Sequence, residues 1–103
     1  MTSAGDSPEA RRRAIELLEA NHDFPGDFTV SVIARNDDVV AEAVLAAVKA
    51  GLSEPLGEDA HERHPSAHGK YVSHRLKVPC ASAEAVLFLY ARLRAVDGVI
   101  TIL

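Results

Sequence analysis

Two segments of the chain alternate hydrophobic and polar residues in the way that strands with one buried face do. In residues 28–34 the inward positions are Phe28, Val30 and Val32, and Ile33 breaks the pattern by lying on the outward face. In residues 71–78 the inward positions are His74, Leu76 and Val78, and the outward positions are Tyr71, Ser73, Arg75 and Lys77. Each segment therefore predicts a strand that covers a core on one side only.

Three other segments repeat their hydrophobic residues at helical spacing. The first follows Ser7 and Pro8 and runs to about Asn21, with one face formed by Ala10, Ala14, Leu17 and Leu18. The second follows the capping residues 36–38 and runs to about Ala50, with a stripe of Val40, Val44, Ala47 and Val48. The third follows Ser82, with a stripe of Val86, Leu89, Tyr90, Leu93 and Val96. Serine precedes the first and third segments, and asparagine and aspartate precede the second; all three residue types are suitable N-caps.

The remaining segments are shorter. Residues 53–69 are polar, and within them Ala60–His64 predicts an edge strand, where charged side chains are tolerated. We expect Pro79 to end the strand before it, because proline donates no hydrogen bond to a ladder. Asp97 and Gly98 turn the chain into a last strand, Val99–Leu103.

An N-terminal helix is thus followed by the order βαββαβ, which is typical of the ferredoxin-like α+β sandwich. In this fold two helices pack on one face of a four-stranded antiparallel sheet of order 4-1-3-2, and the other face is open. We divide the chain into a disordered tail over residues 1–7, an N-terminal helix over 8–23 and the ferredoxin-like domain over 24–103. The N-terminal helix is itself a candidate cover for the open face.

Composition limits the setting of this domain. The chain has 103 residues, enough for one core, and a net charge of −4, which disfavours general attraction to nucleic acid. Its single cysteine, Cys80, forms no internal disulfide. No apolar run approaches the ~20 residues of a membrane span, and the first residues lack the apolar segment of a secretory signal. We expect a cytoplasmic protein with no cofactor and no membrane contact.

Several local motifs resemble those of the YbeD-like family. Residues 17–19 followed by Phe24–Thr29 are similar to its opening, and residues 65–73 to its Gly-x-Tyr-x-Ser segment. Residues 89–103 are similar to its ending through Leu89–Leu93, Val99 and Leu103. One departure from the family pattern is residues 20–23, which lengthen the connection between the helix and Phe24. The resemblance implies an ACT-like regulatory fold of unknown function, a link to lipoate metabolism as a lipoic-acid-binding regulator, and no assigned catalytic residues.

Histidines are the most prominent candidate metal ligands. His61, His64 and His68 are close in sequence, and grouped imidazoles can hold zinc. Pro65 and Gly69 argue against a helix here, and on a strand His61 and His64 face opposite sides. We therefore expect a polar edge strand rather than a metal site. His74 is expected to be a core histidine with a hydrogen-bond partner, and pH sensing is its alternative role.

Other polar features have simple structural interpretations. Ser66, Gly69 and Lys70 form a candidate anion-binding loop, although a turn between two strands explains them as well. The arginines at 11–13 are expected to be solvated beside glutamates of the same helix, and Cys80 to be an inert thiol. Because no nucleophile motif, paired carboxylates or cofactor loop is visible, we expect that the protein is not an enzyme.

The open sheet face is the predicted functional surface. Its candidate ligand or partner residues are apolar on one half and basic or hydroxylated on the other: Ile33, Tyr71, Ser73, Arg75, Lys77, Ile100 and Ile102. We interpret the protein as a non-enzymatic regulatory or binding module that takes a protein partner or a small acyl, anionic ligand such as a lipoyl group there. The alternatives are RNA binding, for which only Tyr71 offers a stacking ring, and a homodimer formed through the sheet.

Overall fold

The computed structural model describes residues 7–52 and 55–103. Its elements follow the chain as α1 (Pro8–Asn21), β1 (Gly26–Arg35), α2 (Asp38–Lys49), β2 (His61–Pro65), β3 (Tyr71–Cys80), α3 (Ala83–Arg94) and β4 (Val99–Ile102). The strands form one antiparallel sheet of order β2-β3-β1-β4, which confirms the predicted α+β sandwich. Residues 1–6 of the tail predicted over residues 1–7 lie outside the described residues, as do the loop positions 53 and 54. Ser7, the last residue of that predicted tail, is described and is the N-cap of α1.

Side-chain caps begin each of these helices at the predicted positions. The Ala10 N–H donates to Ser7 Oγ at 3.1 Å, and the Ala85 N–H donates to Ser82 Oγ at 3.2 Å. Asp37 accepts from the first two amides that follow Asp38, at 2.8 and 3.4 Å. These bonds satisfy amides that have no partner inside the helix, which is why short polar residues precede the apolar stripes.

The core lies between the sheet and the pair α2 and α3. Its buried side chains are aliphatic and aromatic residues from the sheet, Phe28, Val30, Val32, Ala34, Val72, Leu76 and Val78, and from the helices, Val40, Val44, Val48, Val86, Leu89 and Leu93. Burial of each such valine or leucine contributes roughly 1.5–3 kcal/mol, so this layer dominates the stability of the fold. Arg92 adds a polar tie between the helices, because its Nε–H donates to the Ala47 carbonyl at 2.8 Å.

The α1 helix packs along α3 and does not cover the outer face of the sheet. The Arg11 guanidinium lies 5.5 Å from the ring centroid of Phe88 on α3, and the His22 ring meets the Phe28 ring edge-on at 4.9 Å. Leu18 packs against the core, whereas Leu17, predicted for the same face, is 65% exposed. Adjacent helical residues point about 100° apart, so a helix that turns Leu18 inward turns Leu17 to solvent.

The strand β3 continues through Pro79 to Cys80, so the prediction that Pro79 ends it is wrong. Pro79 pairs with Asp27 of β1. Ser31 of β1 exchanges its backbone hydrogen bonds with Leu103. Every second residue of β1 counted from Ser31, including Asp27, therefore directs its N–H and C=O groups away from β3. The Asp27–Pro79 pair is therefore not hydrogen-bonded. The missing N–H would point away from β1, beyond the end of β2, where proline costs the ladder nothing.

Candidate functional site

Strand register arranges the outer face of the sheet, the side away from α2 and α3, into rows. Ser73 of β3 is in register with Ile33 of β1 and His64 of β2. In the next row Arg75 is in register with Ser31 and Glu62. Residues in register share a face of the sheet, so hydroxyl, apolar and charged groups alternate across this surface. The structure thus brings together four of the predicted surface residues: Ile33, Tyr71, Ser73 and Arg75, with Lys77 beyond them in the row of Thr29.

Lys77 and Glu62 on this face each have a polar partner within 4 Å. Lys77 Nζ lies 3.9 Å from Asp27 Oδ2, and Glu62 Oε2 lies 3.4 Å from His64 Nε2. Arg75 is exposed and forms no ion pair within residues 7–52 and 55–103. The middle of the outer face therefore presents an exposed guanidinium in the row of Ser31 and Glu62. Arg75 and Glu62 are in register but do not form an ion pair within 4 Å.

Ile102 does not belong to this face, which corrects the predicted apolar patch. It is in register with the fully buried Val32 and packs against the core, so it faces the helices. The cause is a β-bulge: Ile33 is in register with Thr101 but Ala34 with Val99, which leaves Ile100 as an extra residue. The extra residue reverses the alternation that a regular strand would give.

The bulge gives β4 a different contribution to the outer face. Thr101 shares the face of Ile33, and Leu103 shares the face of Ser31, with which it exchanges backbone hydrogen bonds of 2.8 and 3.3 Å. Ile100 is 58% exposed at the bulge. Apolar groups at this end of the outer face are therefore Ile33, Tyr71 and Leu103, and each of them is in register with a polar residue, so no two of them lie directly opposite each other.

The candidate anion loop is a turn whose donors are largely occupied. The Ser66 N–H donates to the Tyr71 carbonyl and the Gly69 N–H donates to the Ser66 carbonyl, each at 2.9 Å. The Tyr71 N–H donates to Ser66 Oγ at 3.2 Å. The Lys70 ammonium lies 5.5 Å from the Tyr71 ring centroid. Three amides that an anion would need are thus used inside the turn, so the structure favours the turn interpretation.

The predicted metal candidates are not brought together. His61 is in register with the buried Leu76 and faces the helices, whereas His64 is in register with Ser73 and faces outward. His68 is exposed in the turn. Among the residues that the structure describes, no group of three metal-ligating side chains is close enough to hold an ion.

One histidine pair does form, between His61 and His74. His61 Nε2 and His74 Nδ1 are 2.9 Å apart, and the two rings stack with centroids 5.1 Å apart. His74 is fully buried, and its Nε2 has no hydrogen-bond partner. Burial lowers the pKa of His74 to about 4, with help from the nearby His61 and Arg63, and burial also lowers the pKa of His61. The pair is therefore neutral at pH 7, with one ring donating and the other accepting.

Cys80 is the last residue of β3 and lies beside a cleft of about 460 Å³. The cleft is lined mainly by small and apolar residues, among them Pro25, Gly26, Leu52 and Ala85. The thiol is buried, and burial raises its pKa despite the nearby Arg92. A thiol held in its protonated form is a poor nucleophile.

Together these features define a small α+β sandwich protein with helices on one side of its sheet and, on the other, a mixed polar face that no described element covers. The profile of a family of proteins of unknown function, DUF493 or the YbeD family, matches residues 19–103, and the chain belongs to this family. This confirms the resemblance seen in the sequence motifs. No curated protein matches the chain. None of the helices in the described residues is both long and apolar enough to cross a membrane.

Proposed function

We propose that the protein is a non-enzymatic, cytoplasmic binding module whose outer sheet face binds a protein partner that carries acidic side chains. The observation that carries this proposal is the exposed Arg75 at the middle of an uncovered sheet. A guanidinium there is available to a carboxylate in a bidentate arrangement. The neighbouring hydroxyls of Ser31, Ser73 and Thr101 supply further hydrogen-bonding groups, and Ile33 and Tyr71 supply apolar contact.

The shape of the face favours a protein surface over a small acyl ligand. The depression beside Arg75 and Lys77, about 430 Å³, is lined mostly by polar and charged residues, including Thr29, Asp59 and Glu62. Small-molecule sites bury most of their ligand among apolar walls, and a lipoyl or octanoyl chain would lie here on a polar surface. With Ile102 turned to the helices, the apolar half that would receive such a chain is reduced. A regulatory link to lipoate metabolism would therefore act through a protein partner.

Site-specific cross-linking tests the proposal in cells. Photoreactive benzoylphenylalanine is placed at Thr29 on the outer face, and in a matched control at Ala46, which is exposed on α2. We expect discrete protein adducts from position 29 that are absent from position 46 and that are lost when Arg75→Glu is added. Equal adducts at both positions, or adducts that survive Arg75→Glu, would contradict the proposal.

Titrations of the purified protein separate the other occupants of the same face. Amide spectra are recorded with lipoate, with octanoate and with a single-stranded oligouridine. We expect no saturable shifts of the β1 and β3 amides with any of the three. Saturable shifts on the outer face with octanoate or lipoate would replace the protein partner by an acyl ligand, and shifts with the oligonucleotide would replace it by RNA.

A further inference from the structure

The two edges of the sheet differ sharply in chemistry. The edge strand β2 reads His61, Glu62, Arg63, His64 and Pro65, so it carries charges and a proline, the features that block pairing with another strand. The edge strand β4 reads Val99, Ile100, Thr101 and Ile102, with no charge and no proline. Only β4 among the described strands thus combines a free edge with strand-forming, apolar residues.

Backbone register shows that β4 has hydrogen-bonding groups directed outward. Leu103 exchanges both of its backbone hydrogen bonds with Ser31. In an antiparallel pair such residues alternate with residues whose N–H and C=O point to the other side. Ile102, in register with Val32, is such a residue, so its N–H and C=O point away from β1 to the free edge.

A groove accompanies this edge on the helix side. Its volume is about 420 Å³, and it is lined by Tyr90 and Arg94 of α3 and by the residues of β4. The Arg94 guanidinium is exposed, lies 5.8 Å from the Tyr90 ring centroid and forms no ion pair within residues 7–52 and 55–103. The groove therefore offers an apolar strand edge next to an unmatched positive charge.

We infer that β4 accepts an extended peptide segment of a partner protein, which adds a fifth strand to the sheet. Main-chain hydrogen bonds to the outward groups of Ile102 hold the segment in register. Its helix-side positions carry apolar residues that pack on Val99 and Tyr90, and a glutamate or aspartate that pairs with Arg94. This surface is separate from the outer face around Arg75, and the inference goes beyond the function proposed for that face.

The test begins with a phage-displayed library of random heptapeptides selected against the whole chain. We expect enriched peptides that alternate β-branched residues with other residues and that contain an acidic residue at a fixed position. The best peptide is then synthesised with a fluorophore, and its affinity is measured by anisotropy. Arg94→Glu is expected to weaken binding at least tenfold, because it reverses the charge in the groove. Arg12→Glu changes an exposed arginine of α1 that belongs to neither proposed surface, so it is the matched control and should leave the affinity unchanged.

Hydrogen exchange supplies a readout that does not depend on mutation. The Ile102 amide should exchange more slowly with the peptide bound, because a new acceptor covers it. Enriched peptides without an acidic preference, Arg94→Glu without effect, or unchanged exchange at Ile102 would each overturn the inference. Dimerisation of the chain that protects the Ile102 amide without any peptide would also overturn it, because the occupant would then be a second copy.

Discussion

His61 Nε2 and His74 Nδ1 lie 2.9 Å apart, and this contact joins the edge strand β2 to the core. His61 is in register with Leu76, and His74 with Arg63, so the two rings are diagonal neighbours on the helix side of the sheet. Within the described residues, each ring is the only hydrogen-bond partner of the other. The short, charged β2 strand is therefore anchored by one polar contact in addition to its backbone ladder.

Stability is expected to fall as the pH drops below 6.5. The pKa of His74 is about 4 in the folded protein and near its ordinary value of 6.5 in the unfolded chain. Between pH 6.5 and pH 4 the unfolded state binds more protons at His74 than the folded state does. The stability associated with the neutral, buried His74 is therefore fully present above pH 6.5 and is lost as the pH falls towards 4. By linkage the free energy of unfolding should decrease by about 2 kcal/mol between about pH 7 and about pH 5.

Urea unfolding followed by circular dichroism at the two pH values measures this effect. His74→Leu should flatten the pH dependence, because it removes the buried titrating group. His68→Gln, in the exposed turn, should keep the dependence of the parent protein. A His74→Leu protein with the parent's full slope would show that other groups carry the effect.

The histidine pair should also have a measurable cost when it is broken. His61→Ala leaves both ring nitrogens of the buried His74 without partners, and an unsatisfied buried polar group costs about 1–3 kcal/mol. His64→Ala is the matched control on the same strand, since His64 faces outward and is exposed; it should change stability by less than about 0.5 kcal/mol. Chemical denaturation at pH 7 compares the two variants. Equal losses would mean that the 2.9 Å contact contributes nothing specific.

Gly98 is expected to tolerate no side chain. Its φ is +100°, and a Cβ built on it would lie 2.7 Å from Cγ2 of the buried Val40. Backbone strain costs roughly 1–2 kcal/mol and overpacking a further 1–3 kcal/mol, so Gly98→Ala should lower stability by about 2 kcal/mol or more. Gly57→Ala is the control, because a Cβ there has no neighbour within 4 Å. Thermal unfolding of both variants is the measurement. A Gly98→Ala protein as stable as the parent would contradict the close approach of Gly98 to Val40 of α2.

The bulge in β4 makes opposite predictions for two isoleucines that are two residues apart. Ile102 packs against the core, so Ile102→Ala should cost about 1–2 kcal/mol, less than a fully buried isoleucine would. Ile100 is 58% exposed, so Ile100→Ala should cost less than about 0.5 kcal/mol. The denaturant midpoints of the two variants, compared at equal m-values, measure the two losses of stability. A regular strand without the bulge would give similar costs for the two.

The sequence was sufficient for the architecture because each element had a strong local signal. The alternation in β1 and β3 identified their buried faces correctly, and the capping residues placed the starts of the helices. Pro79 misled the prediction of where β3 ends, because the harm that a proline does depends on which way its missing N–H would point. That direction follows from pairing with β1 and is not a local property.

The candidate site was less predictable, for two physical reasons. The position of Ile102 depends on a bulge that appears only when β4 is paired with β1, and one extra residue moves every later side chain to the other face. The contact between His61 and His74 depends on the register of β2 and β3, which the turn at residues 66–70 determines. Once that turn is known, positions 61 and 74 can be assigned to one face, and two neighbouring histidines there become a visible signal.

The unlike edges of the sheet also limit how the protein can assemble. Growth of a filament by strand pairing requires each subunit to offer two receptive edges, one for the preceding and one for the following copy. Here the charges and Pro65 of β2 prevent strand pairing at one edge of the sheet. The partner peptide that we infer to pair with β4 occupies the other edge. Assembly through the strands therefore stops at one bound segment for each molecule, with a fixed one-to-one stoichiometry.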